Sequence, residues 1–339
     1  MAKGMAYFMD NIIIDSTKAI GLSKSAVFEI TKQCNCFCKH CFTNAGNKLK
    51  FEMNAQQIIR AIDELITANI NFITISGGEP TIRSDLICVL EKIKRRSDTV
   101  IGLFTNGFNI SDANINILKN RIDQFVVSID GQKNNHDSLR GTGTYDKVIE
   151  LLTLFSENDV IFSIQMMVSD YSFQDLSHIV ELGIKYNASG LKFSHIGPQG
   201  RALTNSDIFI SINRKLELLE LIKVLQTQIE VPIEHNFILK EDFINKKDQF
   251  LKIFLHIEPD GSVFPYYGMN EYTLFNCTES NSFNLQSIFD NFIDSKNSIR
   301  AYYNILSDVY DECLQNVRHD DVIIPYEELL IERMIMNLG

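Results

Sequence analysis

The sequence predicts an α/β protein: an open, partial (β/α)6 barrel of the TIM-like kind, followed by a small α+β extension. Three observations lead there. Six short apolar runs rich in β-branched or aromatic residues lie between residues 26 and 193. Stretches with apolar residues at helical spacing separate them. Several of the runs end in turn chemistry, as strands do where they feed helices.

The runs are 26–30, 72–75, 100–104, 125–129, 160–164 and 191–193. Their endings include Ser76-Gly77-Gly78, Thr105-Asn106-Gly107, Asp130-Gly131 and Gly197-Pro198. Asn54 is placed to cap a helix running to about Ala68, with Ile58, Ile59, Ile62, Leu65 and Ile66 on one face. Ser84 is placed to start the next, which carries Leu86, Val89, Leu90 and Ile93. Ser111, Thr144 and Ser172 are placed to open three more. Strands alternating with helices imply a parallel sheet. Six such units over 26–205 suit an open barrel better than a closed eight-fold one. Residues 1–25 form an N-terminal segment before the barrel. A linking helix is expected within 206–230, with its pattern over 213–228. Residues 231–339 make the extension, which opens with a hairpin-like stretch over 257–264.

Composition narrows the function classes. The 339 residues are 45% apolar, enough for a large core, and the formal net charge is −11. That balance argues against a general nucleic-acid binder, which needs clustered Lys and Arg. No apolar run reaches membrane-spanning length and the N-terminus lacks a signal-peptide layout, so the expectation is a cytoplasmic chain with no membrane partner. Four of the seven Cys fall between Cys34 and Cys41. Clustering of this kind reads as metal binding rather than a disulfide framework.

The string is Cys34-Asn35-Cys36-Phe37-Cys38-Lys39-His40-Cys41, directly after the first strand. Thiolates suit iron–sulfur clusters, and a closed cluster takes four of them. Three close Cys leave one iron open. A zinc knot with Cys36 or His40 as fourth ligand is the rival, but no second ligand pair follows at zinc-finger spacing. Read as Cys34-x3-Cys38-x2-Cys41, with Gly77-Gly78-Glu79-Pro80 at the end of the second strand, the pattern resembles the radical S-adenosylmethionine (SAM) superfamily from about Ala26 to Gly200.

The resemblance implies one 4Fe–4S cluster on Cys34, Cys38 and Cys41, with Cys36 outside the signature. SAM would chelate the open iron, and its reductive cleavage would give a 5′-deoxyadenosyl radical that takes hydrogen from a substrate. A flavodoxin- or ferredoxin-type donor would supply the electron. Gly77, Gly78, Glu79 and Pro80 would receive the SAM amino group, with Asn106 and Gln165 lining the pocket. In the peptide-modifying branch the residues matching Ser128 and Arg140 bind the SAM carboxylate. His40 would pack near the adenine, Arg201 would guard the substrate side, Asp130 fits plain turn chemistry, and Met167 reads as core.

The C-terminal third resembles a SPASM/Twitch domain over 257–265 and 284–289. It departs at Tyr266, where that family has a Cys, and Cys313 lacks the partner that should follow it. Two thiolates, Cys277 and Cys313, do not hold a 4Fe–4S cluster well. The module is therefore expected to be degenerate. Cys313 is a candidate catalytic hydrogen-atom donor, with a packing role for both thiols as the plain alternative. A ribosomally made peptide is the first substrate class. A small molecule such as a sugar, nucleoside or alcohol is the second. A non-catalytic scaffold is the third, against which the intact motifs argue. No leader-binding domain is expected to fit before Ala26.

Overall fold

Alternation along each strand sorts one sheet into an apolar and a polar face. In Phe162-Ser163-Ile164-Gln165-Met166-Met167-Val168, the first, third, fifth and seventh residues are buried in the core, and Ser163, Gln165 and Met167 point the other way. The same parity holds in the neighbours, where Ile73, Ile75, Ile101, Leu103, Phe125 and Val127 all enter one core cluster. The structure, a computed structural model, describes residues 11–12, 21–96, 98–197, 199–236, 252–264, 275–276, 278 and 312.

The described strands are β1 (Asn11–Ile12), β2 (Gly21–Glu29), β3 (Phe72–Ser76), β4 (Val100–Thr105), β5 (Gln124–Ser128), β6 (Phe162–Val168), β7 (Gly190–His195), β8 (Ile233–His235), β9 (Lys252–Ile257), β10 (Ser262–Phe264) and β11 (Phe275–Asn276). They form one sheet in the order β11-β10-β9-β2-β3-β4-β5-β6-β7-β8, with β1 antiparallel on β2. Every ladder from β9 to β8 is parallel. Among the described residues no ladder joins β8 back to β9, so the barrel stays open as predicted. The expected hairpin is present as β9 and β10.

The described α-helices are α1 (Ala55–Thr67), α2 (Leu86–Lys92), α3 (Ile115–Lys119), α4 (Lys133–Arg140), α5 (Thr144–Glu157), α6 (Leu176–Lys185) and α7 (Ile212–Gln228). Helix α1 follows its sequence pattern closely. The Asn54 side chain accepts from the Gln57 N–H and the Gln57 side chain accepts from the Asn54 N–H, both at 3.0 Å. Its buried face is Ile58, Ala61, Ile62, Leu65 and Ile66.

Several boundaries differ from expectation, each for a local reason. The fifth strand starts at Phe162, not Val160, because the Val160 N–H returns to the Phe155 carbonyl and Asp159 takes a left-handed turn. Ser111 opens no helix: its N–H is taken by the Asn114 side chain, and α3 begins at Ile115. Helix α2 starts at Leu86 with Asp85, rather than Ser84, at its N-cap. Helix α5 opens at Thr144, but its cap is the left-handed Gly143. Ser172 is held by Ser169 and precedes a 3-10 turn before α6. Strands β8 and β9 add two parallel ladders that the six apolar runs did not include. β8 has three residues, too few to show alternation.

Ile62 is fully buried under the sheet. Ile62→Ala is expected to lower stability by about 2–5 kcal/mol, read as a fall in the urea midpoint of unfolding.

Candidate active site

The C-terminal ends of the parallel strands bring two loops into contact. Glu29 and Ser76 are partners in the β2–β3 ladder, and the chains continue side by side beyond it. The Ile30 N–H bonds the Ser76 carbonyl at 3.0 Å, the Gly78 N–H bonds Thr31 O at 2.8 Å, and the Glu79 N–H bonds Gln33 O at 2.8 Å. Only glycine fits this approach. A Cβ on Gly77 would lie 2.3 Å from Thr31 O, and one on Gly78 would lie 2.2 Å from Gln33 O. Gly77 also has a φ of +128°, which favours glycine.

Glu79 is buried and caps a 3-10 turn over Pro80–Ile82. One carboxylate oxygen accepts from the Thr81 N–H (3.1 Å), the Thr81 hydroxyl (2.5 Å) and the Thr105 hydroxyl (2.9 Å). The other accepts from the Asn106 N–H at 2.7 Å. Burial pushes the carboxyl up, and these donors offset part of that. The Asn106 amide in turn reaches the cysteine loop, donating to Asn35 Oδ1 at 2.7 Å and lying 3.4 Å from Cys36 Sγ and 3.8 Å from Cys34 Sγ.

Cys36 does not stand apart from the other thiols as the spacing suggested. Its N–H donates to Cys34 Sγ at 3.4 Å and its thiol lies between Cys34 and Cys38, an arrangement that raises its own pKa and lowers theirs. Cys38 is held down to about 6, chiefly by its hydrogen bond with the Cys36 thiol and also by Arg140. Cys41 Sγ accepts from the Ala45 N–H at 3.4 Å and lies 3.5 Å from the Thr43 hydroxyl.

Arg201, the expected substrate-side guard, packs on the cysteine loop. Its Nε donates to Cys38 O at 2.8 Å, its Nη1 donates to Ala45 O at 2.5 Å, and its guanidinium stacks 3.9 Å over the Phe37 ring. Gly200 approaches the same loop so closely that a Cβ would meet Cys41 O at 2.3 Å.

Asp130, at the end of β5, is more than a turn residue. It is fully buried, accepts from Arg140 Nε at 2.5 Å and from the Met167 N–H at 2.9 Å, and lies 3.4 Å from His40 Nε2. Its own N–H donates to His136 Nδ1 at 3.0 Å. Burial pushes its carboxyl up, but Arg140 and His40 outweigh this and hold it at about 2. Burial lowers both histidines to about 4, so they are neutral at pH 7.

The arrangement thus gathers Cys34, Glu79 and Asn106 directly and sets Arg140 beside Cys38 through Asp130 and His40. His40 makes its contact with Asp130. Ser128 and Gln165 are ladder partners on β5 and β6, one strand further round. Met167 is partly buried and packs, as expected of it, against the small apolar cluster of Leu139, Ile196, Ala202 and Ile208. Cys277, Cys313, Tyr266 and the 284–289 match lie outside the described residues. Glu52 also holds the loop: its carboxylate accepts from the Thr31 hydroxyl and the Lys32 and Leu49 N–H groups. An acid alone after a cysteine loop carries no motif, so no sequence signal marked it.

A model of the radical SAM superfamily matches residues 28–183, the span that contains these loops. The chain carries a radical SAM domain. The mycofactocin maturase MftC of Mycolicibacterium smegmatis is 28% identical over 179 residues, 51% of this chain and 45% of its own. The sporulation killing factor maturation protein SkfB of Bacillus subtilis is 26% identical over 162 residues, 46% of this chain and 38% of its own. The chain therefore spans less than half the length of these curated relatives. Among solved structures, Streptococcus suis SuiB bound to S-adenosylmethionine gives a TM-score of 0.67 at 16% identity, covering 84% of this chain and 70% of SuiB. SuiB bound to its precursor peptide SuiA gives 0.64 at 14% identity, covering 84% and 73%. At such identity the likeness shows the fold.

The cofactors of a radical SAM domain are a 4Fe–4S cluster and SAM, and the residues present fit them. Three thiols on the one loop after β2 are the donor set such a cluster takes, and Cys41 Sγ accepts a backbone N–H bond of the kind that tunes cluster sulfurs. Among the described residues no three Cys, His, Asp or Glu side chains close on a single ion. A four-iron cluster spreads its ligands more widely than one zinc ion does.

Two outcomes test this geometry. Gly78→Ala is expected to cut iron retention after anaerobic reconstitution well below about four per chain. Gly46→Ala, where a Cβ meets nothing nearer than the Phe37 ring at 3.7 Å, is expected to keep it. Asp130→Asn strands the Arg140 charge and is expected to cost roughly 3–5 kcal/mol of stability in denaturant unfolding at pH 7. Because the folded carboxyl is depressed, the pair's contribution is complete above the unfolded carboxylate range. It is lost as pH falls through about 2, so the wild-type advantage should shrink in acid.

Proposed function

We propose that the protein is a radical SAM enzyme that modifies a ribosomally made peptide, by epimerisation or cross-linking. The observation that carries the reading is the convergence of Cys34, Glu79 and Asn106 at the C-terminal ends of adjacent parallel strands, where barrel active sites lie. The peptide class is supported by the relatives, one named as a maturase, one as a maturation protein, and one solved with a precursor peptide.

When bound, a 4Fe–4S cluster and SAM would together supply one-electron reduction and hydrogen-atom abstraction. The residues of this chain do the rest. Cys34, Cys38 and Cys41 would ligate the cluster. Carbonyls of the Gly77-Gly78 turn and the free lone pair of Glu79 would receive the SAM ammonium. The Arg140 guanidinium keeps donors beyond the one given to Asp130, and these would pair with the SAM carboxylate beside Ser128. We place the chain in the cytoplasm, where thiols stay reduced and a small flavodoxin or ferredoxin can deliver the electron. Among the described residues no helix is long and apolar enough to cross a membrane.

The decisive experiment uses reconstituted protein with dithionite, SAM and a synthetic peptide encoded beside the gene. Release of 5′-deoxyadenosine with a mass or stereochemical change in the peptide is expected, and Cys34→Ala should abolish both. Release without any change in the peptide would move the substrate to the small molecules. No release at all would remove the enzyme reading.

A further inference from the structure

The cysteine loop and the stretch that follows it expose apolar side chains that the chain elsewhere buries. Phe37 is 73% exposed and Phe51 72%, whereas Phe28, Phe125, Phe155, Phe162 and Phe193 are fully buried. Of the eleven exposed large apolar residues among those described, four fall within residues 37–51, so they form a group rather than a scatter. A group of this kind rimmed by polar residues marks an interaction surface.

Phe37 is held in its exposed position. The Arg201 guanidinium stacks over its ring at 3.9 Å, and a Cβ on Gly46 would come within 3.7 Å of the ring edge. The second half of the stretch runs beside the first. Gln33 and Gly46 form a parallel bridge, and the Cys34 N–H bonds the Gly46 carbonyl at 2.9 Å. Leu49 and Phe51, both exposed, follow within five residues of that bridge. The apolar group therefore lies along the backbone that carries the three cluster thiols, and a protein seated on it comes beside those thiols without entering the barrel lumen.

Charge supplies an independent observation. The chain has a formal net charge of −11, yet residues 30–51 hold four Lys and no Asp or Glu. Lys32 is committed to Glu29 and Glu258. Lys39, Lys48 and Lys50 are exposed. Lys50 Nζ lies 5.1 Å from the Phe51 ring centroid, and Asp85, the acid that feels Lys48, is already paired with Arg83 at 2.7 Å. The patch is thus a small basic frame around apolar rings on an acidic protein. A long polyanion or an anionic membrane would also meet the acidic remainder and be repelled. A small acidic protein with an apolar centre matches the patch alone, and opposite charge speeds its encounter.

We propose that Phe37, Leu49 and Phe51, framed by Lys39, Lys48 and Lys50, form the docking face for an acidic electron carrier of the flavodoxin type. The apolar edge of the carrier's flavin sits against the rings, and the carboxylates around it face the lysines. One electron leaves the anionic flavin hydroquinone, which becomes the neutral semiquinone, and enters the cluster site. No bond forms or breaks and no proton moves. This rests on the radical SAM enzyme reading above and adds to it the face that receives the reductant.

The test is anaerobic biolayer interferometry of the reconstituted holoenzyme against a purified acidic flavodoxin. Wild-type affinity is expected to fall roughly tenfold between about 50 and 500 mM salt. The combined Lys39→Glu, Lys48→Glu and Lys50→Glu variant should bind about tenfold more weakly at low salt and lose the salt dependence. Phe51→Ser should weaken binding by roughly fivefold and keep the salt dependence. Lys147→Glu with Lys223→Glu, on exposed positions of α5 and α7, should stay within about twofold of wild type. The rim variants should keep about four irons and release 5′-deoxyadenosine with dithionite as wild type does, but lose the release driven by photoreduced flavodoxin. If the triple variant loses iron, Lys48→Glu with Lys50→Glu, outside the three-cysteine span, takes its place. No flavodoxin binding by wild type, unchanged affinity in the rim variants, equal weakening by the α5 and α7 variant, or tighter binding of an acidic ferredoxin would overturn the docking face. Flavodoxin binding that needs the rim in a chain that releases no 5′-deoxyadenosine with dithionite would leave the face standing and remove the enzyme reading.

Discussion

Two backbone hydrogen bonds, from Gly78 to Thr31 and from Glu79 to Gln33, hold the cysteine loop against the turn after β3. The site depends on that seam. It continues the β2–β3 ladder past the last paired residues, so the sheet itself sets the relative height of the cysteines and the Gly-Gly-Glu turn. Glu79 then extends it sideways. Its carboxylate is bonded to Thr81, Thr105 and the Asn106 N–H, and the Asn106 side chain returns to the cysteine loop. Three loops from three strands thus close a ring around one buried carboxylate. A buried carboxylate is expensive to strip of its donors, and this makes the ring rigid before any cofactor arrives.

A second network anchors the loop from the other side. Glu29, fully buried, bonds His256 at 2.8 Å and Lys32 at 3.0 Å, and Lys32 also reaches Glu258 at 3.4 Å. Burial would raise the Glu29 carboxyl, but His256 and Lys32 outweigh it and hold it below its ordinary value. His256 and Glu258 belong to β9 and the hairpin that follows it. The C-terminal part of the chain is thereby tied by charge to the residue two places before Cys34. The Pro259 carbonyl adds a bond to the Met53 N–H. The position of β9 between β10 and β2 is therefore part of how the cysteine loop is held.

What could be read from the sequence follows from the range of each signal. The apolar runs, α1 with its Asn54 cap, and the three-cysteine spacing are local patterns, and the structure carries them with shifted ends. Val160 was misplaced because a turn after α5 takes its N–H, which an apolar run does not reveal. Helix α4 is mostly polar, with only His136 and Leu139 buried, so it lacks the stripe that betrays a helix. Arg201 and Gly200 act on the cysteine loop from more than 150 residues away. No periodicity encodes such a contact. Asp130 was recognisable as a turn residue, yet its role as the partner of Arg140 and His40 needs the end of β5, α4 and the cysteine loop in one place.

The openness of the barrel ties these features to substrate size. A closed eight-stranded barrel fills its interior with side chains in packed layers. Here the polar parity of β3 to β8 puts Thr74, Gly102, Ser163 and Glu234 where a closed barrel would put branched apolar residues. A small residue or a charge at those positions is poor packing material, and it weakens the sheet unless something else fills the lumen. The apolar face pays no such penalty, since α1, α2, α5 and α6 all bury their stripes against it. The stability of the fold is thus concentrated on the outer layer. That division leaves the inner face free to carry groups that do not serve packing.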